Sequence, residues 1–95
     1  MMVLVTYDVR TADEDGPRRL RRVAKICVNH GVRVQKSVFE CKVTPAQRVI
    51  LENDLREAID EEKDSIRLYD LGSSPSKITH IGAKEPMDVD GLLMF

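Results

Sequence analysis

The stretch Met2-Val3-Leu4-Val5-Thr6-Tyr7-Asp8 decides the architecture that the sequence predicts. It is rich in β-favouring and apolar residues, and its first charged side chain is the carboxylate of Asp8. A short apolar run of this kind predicts a strand that is buried on both faces, at the centre of a sheet. Because a central strand is held firmly, Asp8 is expected at a fixed place where the sheet meets solvent, and α/β-type sheets usually carry their functional sites there.

The length of 95 residues predicts a single domain, residues 1–95. A chain of this size buries only about two thirds of the surface that its unfolded form exposes, so a partner subunit would add stability. We therefore expect a homodimer. No apolar run of about 18 residues is present and the amino terminus does not resemble a signal peptide, so we expect a cytoplasmic protein without membrane contact. Cys27 and Cys41 lack metal or redox spacing and are expected to be reduced, structural thiols.

Charge is distributed unevenly along a chain whose net charge is only −1. Residues 17–36 contain seven basic side chains and no acidic one, whereas residues 52–64 contain seven acidic side chains. The basic pole therefore lies early in the chain and the acidic pole late.

The first predicted helix begins at Pro17, which suits the first turn because its missing N–H needs no partner there. Its buried face is predicted from helical spacing and consists of Leu20, Val23, Ala24, Cys27 and Val28. Gly31 is expected to end the helix in the left-handed conformation. Residues 32–34 and 39–43 then predict two strands of a hairpin with a turn at residues 35–37.

A second helix is predicted to begin at Thr44, where Thr44-Pro45-Ala46-Gln47 matches a capping box, and to end near Lys63. Its predicted buried residues are Val49, Ile50, Leu55, Ala58 and Ile59. Residues 66–71 and 77–83 predict two further strands, joined by a loop at residues 72–76. The order β-α-β-β-α-β with an extra terminal piece predicts an α+β, ferredoxin-like sandwich with both helices on one sheet face. The tail, residues 84–95, ends in four bulky apolar residues and is expected to pack on the partner subunit.

Asp8 has two interpretations. An aspartate directly after a strand often caps the following turn. Alternatively, it binds Mg²⁺, which takes oxygen ligands and accepts one or two carboxylates together with water. A single carboxylate is a poor site, but a twofold axis near the end of the first strand would bring two copies of Asp8 to one ion.

The basic residues also have two interpretations. Charged helix surfaces are often only solvated, yet arginine at this density without acidic neighbours more often contacts phosphate. Aromatic residues are few, so contact with the nucleic-acid backbone is expected rather than base readout. The residues predicted to bind nucleic acid are Arg18, Arg19, Arg22, Lys25, Arg33 and Lys36.

Three segments together resemble the CRISPR-associated Cas-two family: Thr6-Tyr7-Asp8-Val9, the hairpin segment Arg33-Val34-Gln35-Lys36-Ser37-Val38-Phe39-Glu40, and Ser65-Ile66-Arg67-Leu68-Tyr69. The resemblance follows the whole chain in order and length, and the hairpin segment is its most specific part. Lys36 stands where many relatives have asparagine, which adds a positive charge. The acidic loop, residues 13–15, has no counterpart that we can assign, and it could supply a metal ligand or repel nucleic acid.

The resemblance implies a ferredoxin-like homodimer that takes part in spacer acquisition beside an integrase of the Cas-one family. It also implies a metal-dependent phosphodiesterase in which Asp8 is the catalytic residue and binds Mg²⁺. Tyr7, Ser37 and Phe39 match motif positions near that site. Two functions therefore remain open: an endonuclease acting on RNA or DNA, and a non-catalytic scaffold that binds DNA and bridges integrase dimers.

Overall fold

A computed structural model describes residues 1–72 and 77–83. Its elements are β1 (Met2–Asp8), α1 (Gly16–His30), β2 (Gly31–Gln35), β3 (Val38–Lys42), α2 (Pro45–Ala58), β4 (Ser65–Leu71) and β5 (Lys77–Gly82). The predicted tail, residues 84–95, and most of the predicted loop at 72–76 lie outside the described residues.

The described strands form one antiparallel sheet in the order β2-β3-β1-β4-β5. Each helix connects two strands that do not pair with each other, and β1 lies between β3 and β4. This is the predicted α+β, ferredoxin-like arrangement, extended by β5 at the edge of β4. The predicted central position of β1 is confirmed.

The burial of β1 corrects one expectation. Val3, Val5 and Tyr7 are buried on the helix side of the sheet, whereas Leu4 and Thr6 on the other side are only half-buried. The prediction of burial on both faces was wrong for the single chain, because the buried positions of the strands all share the side that the helices cover. We call the other side the open face.

Helix α1 begins one residue before Pro17. Its Val23 and Cys27 are buried in the core, and Leu20 and Ile26 are partly buried against it. Val28, which was predicted to be buried, is 57% exposed. Gly31 does not end the helix in the left-handed conformation: it has extended backbone and begins β2. A side chain is excluded there because a Cβ atom would lie 2.2 Å from the Glu40 carbonyl oxygen.

Helix α2 has the predicted capping box. The Gln47 amide donates to Thr44 Oγ1 (3.2 Å), and the Thr44 amide donates to Gln47 Oε1 (2.8 Å). The helix ends at Ala58 rather than near Lys63, since Ile59 is already extended.

The predicted buried face of α2 was partly wrong. Val49 and Ile50 are 59% and 52% exposed, and the core is filled by Leu51, Leu55 and Ala58. Leu51, Leu55 and Ala58 have helical spacing, but Val49 and Ile50 just before them are also apolar. From the sequence alone, these two residues favour a buried face that is rotated about the helix axis.

Both cysteines are buried, free thiols, as predicted. Burial raises the pKa of Cys27 to about 12, so this thiol stays protonated and unreactive at neutral pH. Among the described residues, no helix is long and apolar enough to cross a bilayer.

Candidate functional site

Asp8 is exposed and lies at the solvent end of β1, on the open face. Across the strand pair it is opposite Ser65, the first residue of β4. A cavity of about 180 Å³ opens there and is lined by Thr6, Tyr7, Asp8, Ser65 and Arg67. The residues around this small space therefore comprise one with a carboxylate, three with a hydroxyl group and one with a guanidinium group.

Ser65 and Arg67 were missed as site residues. In the sheet Ser65 pairs with Asp8, and Arg67 pairs with Thr6, which puts both beside the candidate site. The signal was available, because a ferredoxin-like strand order places the start of β4 beside the end of β1. A half-buried arginine next to an exposed carboxylate suits a phosphate group that also contacts a metal ion.

The oxygen-rich lining fits a hard cation such as Mg²⁺, which takes carboxylate and water ligands. One chain, however, supplies few donors, since no three His, Cys, Asp or Glu side chains come together as a metal site among residues 1–72 and 77–83. A Mg²⁺ ion at Asp8 would therefore need ligands beyond the one carboxylate that a single chain supplies.

Tyr7 and Phe39 lie on the helix side of the sheet, away from Asp8. Their ring centroids are 6.2 Å apart, and both side chains are buried. The guanidinium carbon of Arg33 lies 5.0 Å from the centroid of the Phe39 ring. This aromatic pair packs on the side of the sheet opposite to Asp8, although Tyr7 also borders the small cavity.

The turn between β2 and β3 lies beside the end of β1. The Tyr7 amide donates to the Ser37 carbonyl (3.1 Å), and the Tyr7 hydroxyl donates to the Lys36 carbonyl (3.3 Å). These bonds place the exposed Lys36 at the same end of the sheet as Asp8. Burial raises the pKa of Tyr7, so its hydroxyl is protonated at neutral pH and does not serve as a base.

The predicted basic residues of α1 are only partly free to bind phosphate. Arg18, Arg22 and Lys25 are exposed. Arg22 and Lys25, however, line a groove of about 290 Å³ together with Asp54 and Glu57 of α2. The acidic helix therefore weakens the positive potential along that side of α1.

Arg19 corrects the prediction that it binds nucleic acid. The residue is 6% exposed, and its guanidinium group forms ion pairs with Asp64 (2.8 Å) and Asp13 (3.1 Å). These carboxylates raise the pKa of Arg19 and occupy its donors. The side chain is thus part of the folded structure and cannot reach a phosphate.

A larger cavity of about 440 Å³ lies at the opposite end of β1, beside Met1, Arg48 and Asp70. Its arginine and aspartate are paired with each other at 2.9 Å. It lies at the other end of β1 from Asp8 and is separate from the smaller cavity.

Comparison with known proteins identifies the family. Residues 1–77 match the family described as CRISPR associated protein Cas2. The chain belongs to the Cas2 family. It is 52% identical, over 100% of both chains, to a protein of Halalkalibacterium halodurans named CRISPR-associated endonuclease Cas2. It is 55% identical, over 99% of both chains, to a protein of Chlorobaculum tepidum named CRISPR-associated endoribonuclease Cas2.

A solved structure shows the same fold. The crystal structure of Streptococcus pyogenes Cas2 superposes with a TM-score of 0.70 at 61% sequence identity, covering 76% of this chain and 87% of that one. The ferredoxin-like core described above is therefore a Cas2 core.

The acidic loop of this Cas2 chain is an ion-pairing segment. Asp13 pairs with Arg19 and, at 3.2 Å, with Lys63, while Asp15 pairs with Arg18 at 3.0 Å. Two arginines of α1 therefore have acidic partners, and these come from the loop that precedes the helix. Of the two interpretations for this loop, metal ligation receives no support among the described residues.

We expect the protein to lose stability in acid. The Arg19 guanidinium holds the pKa of Asp13 well below its usual range. Burial opposes ionisation of Asp64, but hydrogen bonds from Arg19 and from the Asp60 and Arg10 amides outweigh it and lower its pKa. In the unfolded chain these carboxyl groups have a pKa of about 4, so they bind protons at a higher pH there than in the folded protein. Their contribution to the free energy of unfolding is therefore fully present above about pH 4 and is lost as the pH falls further.

Urea denaturation at a series of pH values measures this effect. The denaturation midpoint should be constant near neutral pH and decline below about pH 4. The decline should be shallower in Asp13→Asn, because that variant has already lost one of the titrating groups. A midpoint that is independent of pH over this range would contradict the expectation.

Proposed function

We propose that this protein is a Mg²⁺-dependent endonuclease of CRISPR defence that cleaves phosphodiester bonds of RNA or DNA in the cytoplasm as a homodimer. The main support is the position of Asp8, which ends the central strand in a cavity shared with Ser65 and Arg67. Relatives of half or more sequence identity are named endonuclease or endoribonuclease, which agrees with that chemistry.

The open face supports the proposed homodimer. Exposed apolar side chains lie on four of its five strands, including Met2 on β1, Val32 on β2, Leu71 on β4 and Ile78 on β5, and Leu4 is half-buried among them. Exposed apolar residues spread over one sheet face favour its use as an interface. Because Asp8 lies on the same face, a twofold pairing through it would bring the Asp8 residues of both subunits into the interface.

In this dimer each subunit would contribute one Asp8 carboxylate to a shared cation. Bound Mg²⁺ supplies Lewis-acid polarisation of the phosphate and lowers the pKa of water. Arg67 and Lys36 would orient the phosphates on either side of the scissile bond by charge-assisted hydrogen bonds. No base is provided by Tyr7, whose hydroxyl is protonated and bonded to the Lys36 carbonyl.

The proposal predicts that cleavage depends on added Mg²⁺. Purified protein treated with EDTA should lose cleavage of labelled RNA and DNA, and Mg²⁺ in excess over EDTA should restore it. Thermal denaturation in EDTA serves as the control, since the fold has its own core and should be unaffected. Equal rates of cleavage with and without EDTA would overturn metal dependence.

A second function is favoured by the exposed arginines of α1. Arg18, Arg21 and Arg22 lie outside the core and could hold a DNA duplex by its backbone. We propose as the alternative that the dimer is a scaffold that bridges integrase dimers of the Cas-one family during spacer acquisition. Spacer integration that survives Asp8→Asn but fails in the double variant Arg18→Glu/Arg22→Glu would favour the scaffold over the nuclease.

A further inference from the structure

The buried ion pair between Arg19 and Asp64 joins two segments that are 45 positions apart in the sequence. Arg19 Nε donates to Asp64 Oδ2 at 2.8 Å, and Arg19 Nη2 donates to Asp64 Oδ1 at 3.3 Å. The carboxylate is fully buried and also accepts the amides of Arg10 (3.0 Å) and Asp60 (2.9 Å). A network with all of its members satisfied holds one geometry.

This network forms hydrogen bonds with the backbone of Arg10, two residues after Asp8. The Arg10 amide donates to Asp64, and the Arg10 carbonyl accepts from Arg19 Nη2 at 3.1 Å. Asp8 is itself paired with Ser65, the residue that follows Asp64. The Asp64 side chain therefore continues the hydrogen bonding between β1 and β4 beyond the last backbone pair, and it fixes the chain where it leaves β1.

The rest of the loop is packed against the same group. Arg19 also donates to both carboxylate oxygens of Asp13, at 3.2 and 3.1 Å. The first residue of α1, Gly16, approaches so closely that a Cβ atom there would lie 2.3 Å from the Arg10 carbonyl oxygen. The segment between Asp8 and α1 is thus fixed by hydrogen bonds with Asp64 and Arg19 and by close contact with Gly16.

A second buried ion pair offers a comparison within the same molecule. Arg48 Nε and Nη2 donate to the two oxygens of Asp70 at 2.9 and 3.2 Å. Asp70 is opposite Val3, near the other end of β1 from Asp8. The two pairs have similar bidentate geometry and burial, but of the two only the Arg19–Asp64 pair is hydrogen-bonded to the loop that follows Asp8.

We propose that Arg19 and Asp64 are positioning residues of the nuclease: their ion pair fixes the loop after β1 and so sets the position of the Asp8 carboxylate. This inference rests on the proposed function of Asp8. A buried ion pair adds little net stability over an apolar pair, but it imposes a geometry, which is what a site with one carboxylate per subunit requires.

Arg19→Lys tests the inference, with Arg48→Lys as the matched control. Both changes keep the charge and lose the bidentate fork, so both should reduce thermal stability. Only Arg19→Lys should weaken the hydrogen-exchange protection of the Arg10 amide. It should also lower kcat by about 10- to 100-fold, the range seen for residues that orient metal ligands, with KM for nucleic acid unchanged. Arg48→Lys should leave kcat, KM and Arg10 protection at the wild-type values.

Three outcomes would overturn the positioning role. They are equal losses of kcat in both variants, unchanged Arg10 protection in Arg19→Lys, and a rise in KM without a fall in kcat. If Arg19→Lys does not fold, Gly16→Ala displaces the Arg10 carbonyl and its hydrogen bond from Arg19 while keeping both side chains of the ion pair, and it should give the same fall in kcat. Wild-type kcat in that variant would also overturn the role. Loss of cleavage in Asp8→Asn with normal kcat in Arg19→Lys would refute this inference alone, whereas normal cleavage in Asp8→Asn would refute the proposed function.

Discussion

Replacing Asp8 with asparagine is expected to reduce phosphodiester cleavage by more than about a hundredfold, beyond the range typical of residues that only orient metal ligands. The substitution keeps the shape of the side chain and removes the charge that would hold Mg²⁺. In the proposed twofold homodimer, the substitution would remove both carboxylates from each dimer at once. Initial rates on labelled RNA and DNA over a series of Mg²⁺ concentrations measure the effect.

The fold should not depend on this change. Asp8 is exposed and lies at the end of its strand, so circular dichroism, the thermal midpoint and the dimer mass should match those of the wild type. Asp54→Asn is the matched control, because Asp54 is also an exposed aspartate but lies on α2, on the other side of the sheet. Cleavage by Asp8→Asn at the rate of the control would remove the basis of the nuclease proposal.

Replacing Leu4 with lysine is expected to separate the dimer. Leu4 lies in the middle of β1 on the open face, between Glu40 of β3 and Tyr69 of β4. In the proposed dimer a lysine there would place a charge in the interface twice, once from each subunit, and the Glu40 carboxylate across the strand pair would offset this charge only in part. A buried, unpaired charge costs about 2–5 kcal/mol, and about 1.4 kcal/mol is a factor of ten in affinity, so we expect dimerisation to weaken by about a hundredfold or more.

Sedimentation velocity over a range of protein concentrations measures this loss, and cleavage at the same concentrations should fall with the dimer fraction. Val49→Lys is the control, since Val49 is an exposed apolar residue on α2, away from the open face. It should dimerise like the wild type. A Leu4→Lys protein that remains dimeric, or a monomer that cleaves at the full rate, would show that the shared site is not formed through this face.

Features that depend on a few neighbouring residues could be predicted. The capping box at Thr44 and the strand at residues 2–8 are present as expected. The end of α2 and its buried face could not be predicted, because Val49 and Ile50 are apolar enough for the core and only the sheet decides which face is covered. Gly31 is a similar case, because glycine is needed there to let β3 lie close to the backbone and not to end α1.

The chain alone established the order of strands and helices, the resemblance to the Cas-two family and Asp8 as the carboxylate at the end of the central strand. Local periodicity, capping and charge suffice for such conclusions, because the residues that decide them are close together in the chain. The tertiary structure alone decided that Ser65 and Arg67 lie beside Asp8 and that Arg19 is buried against Asp64. These contacts join residues that are distant in sequence, and the spacing of arginines in a helix is the same whether their charges face solvent or a carboxylate from a distant part of the chain.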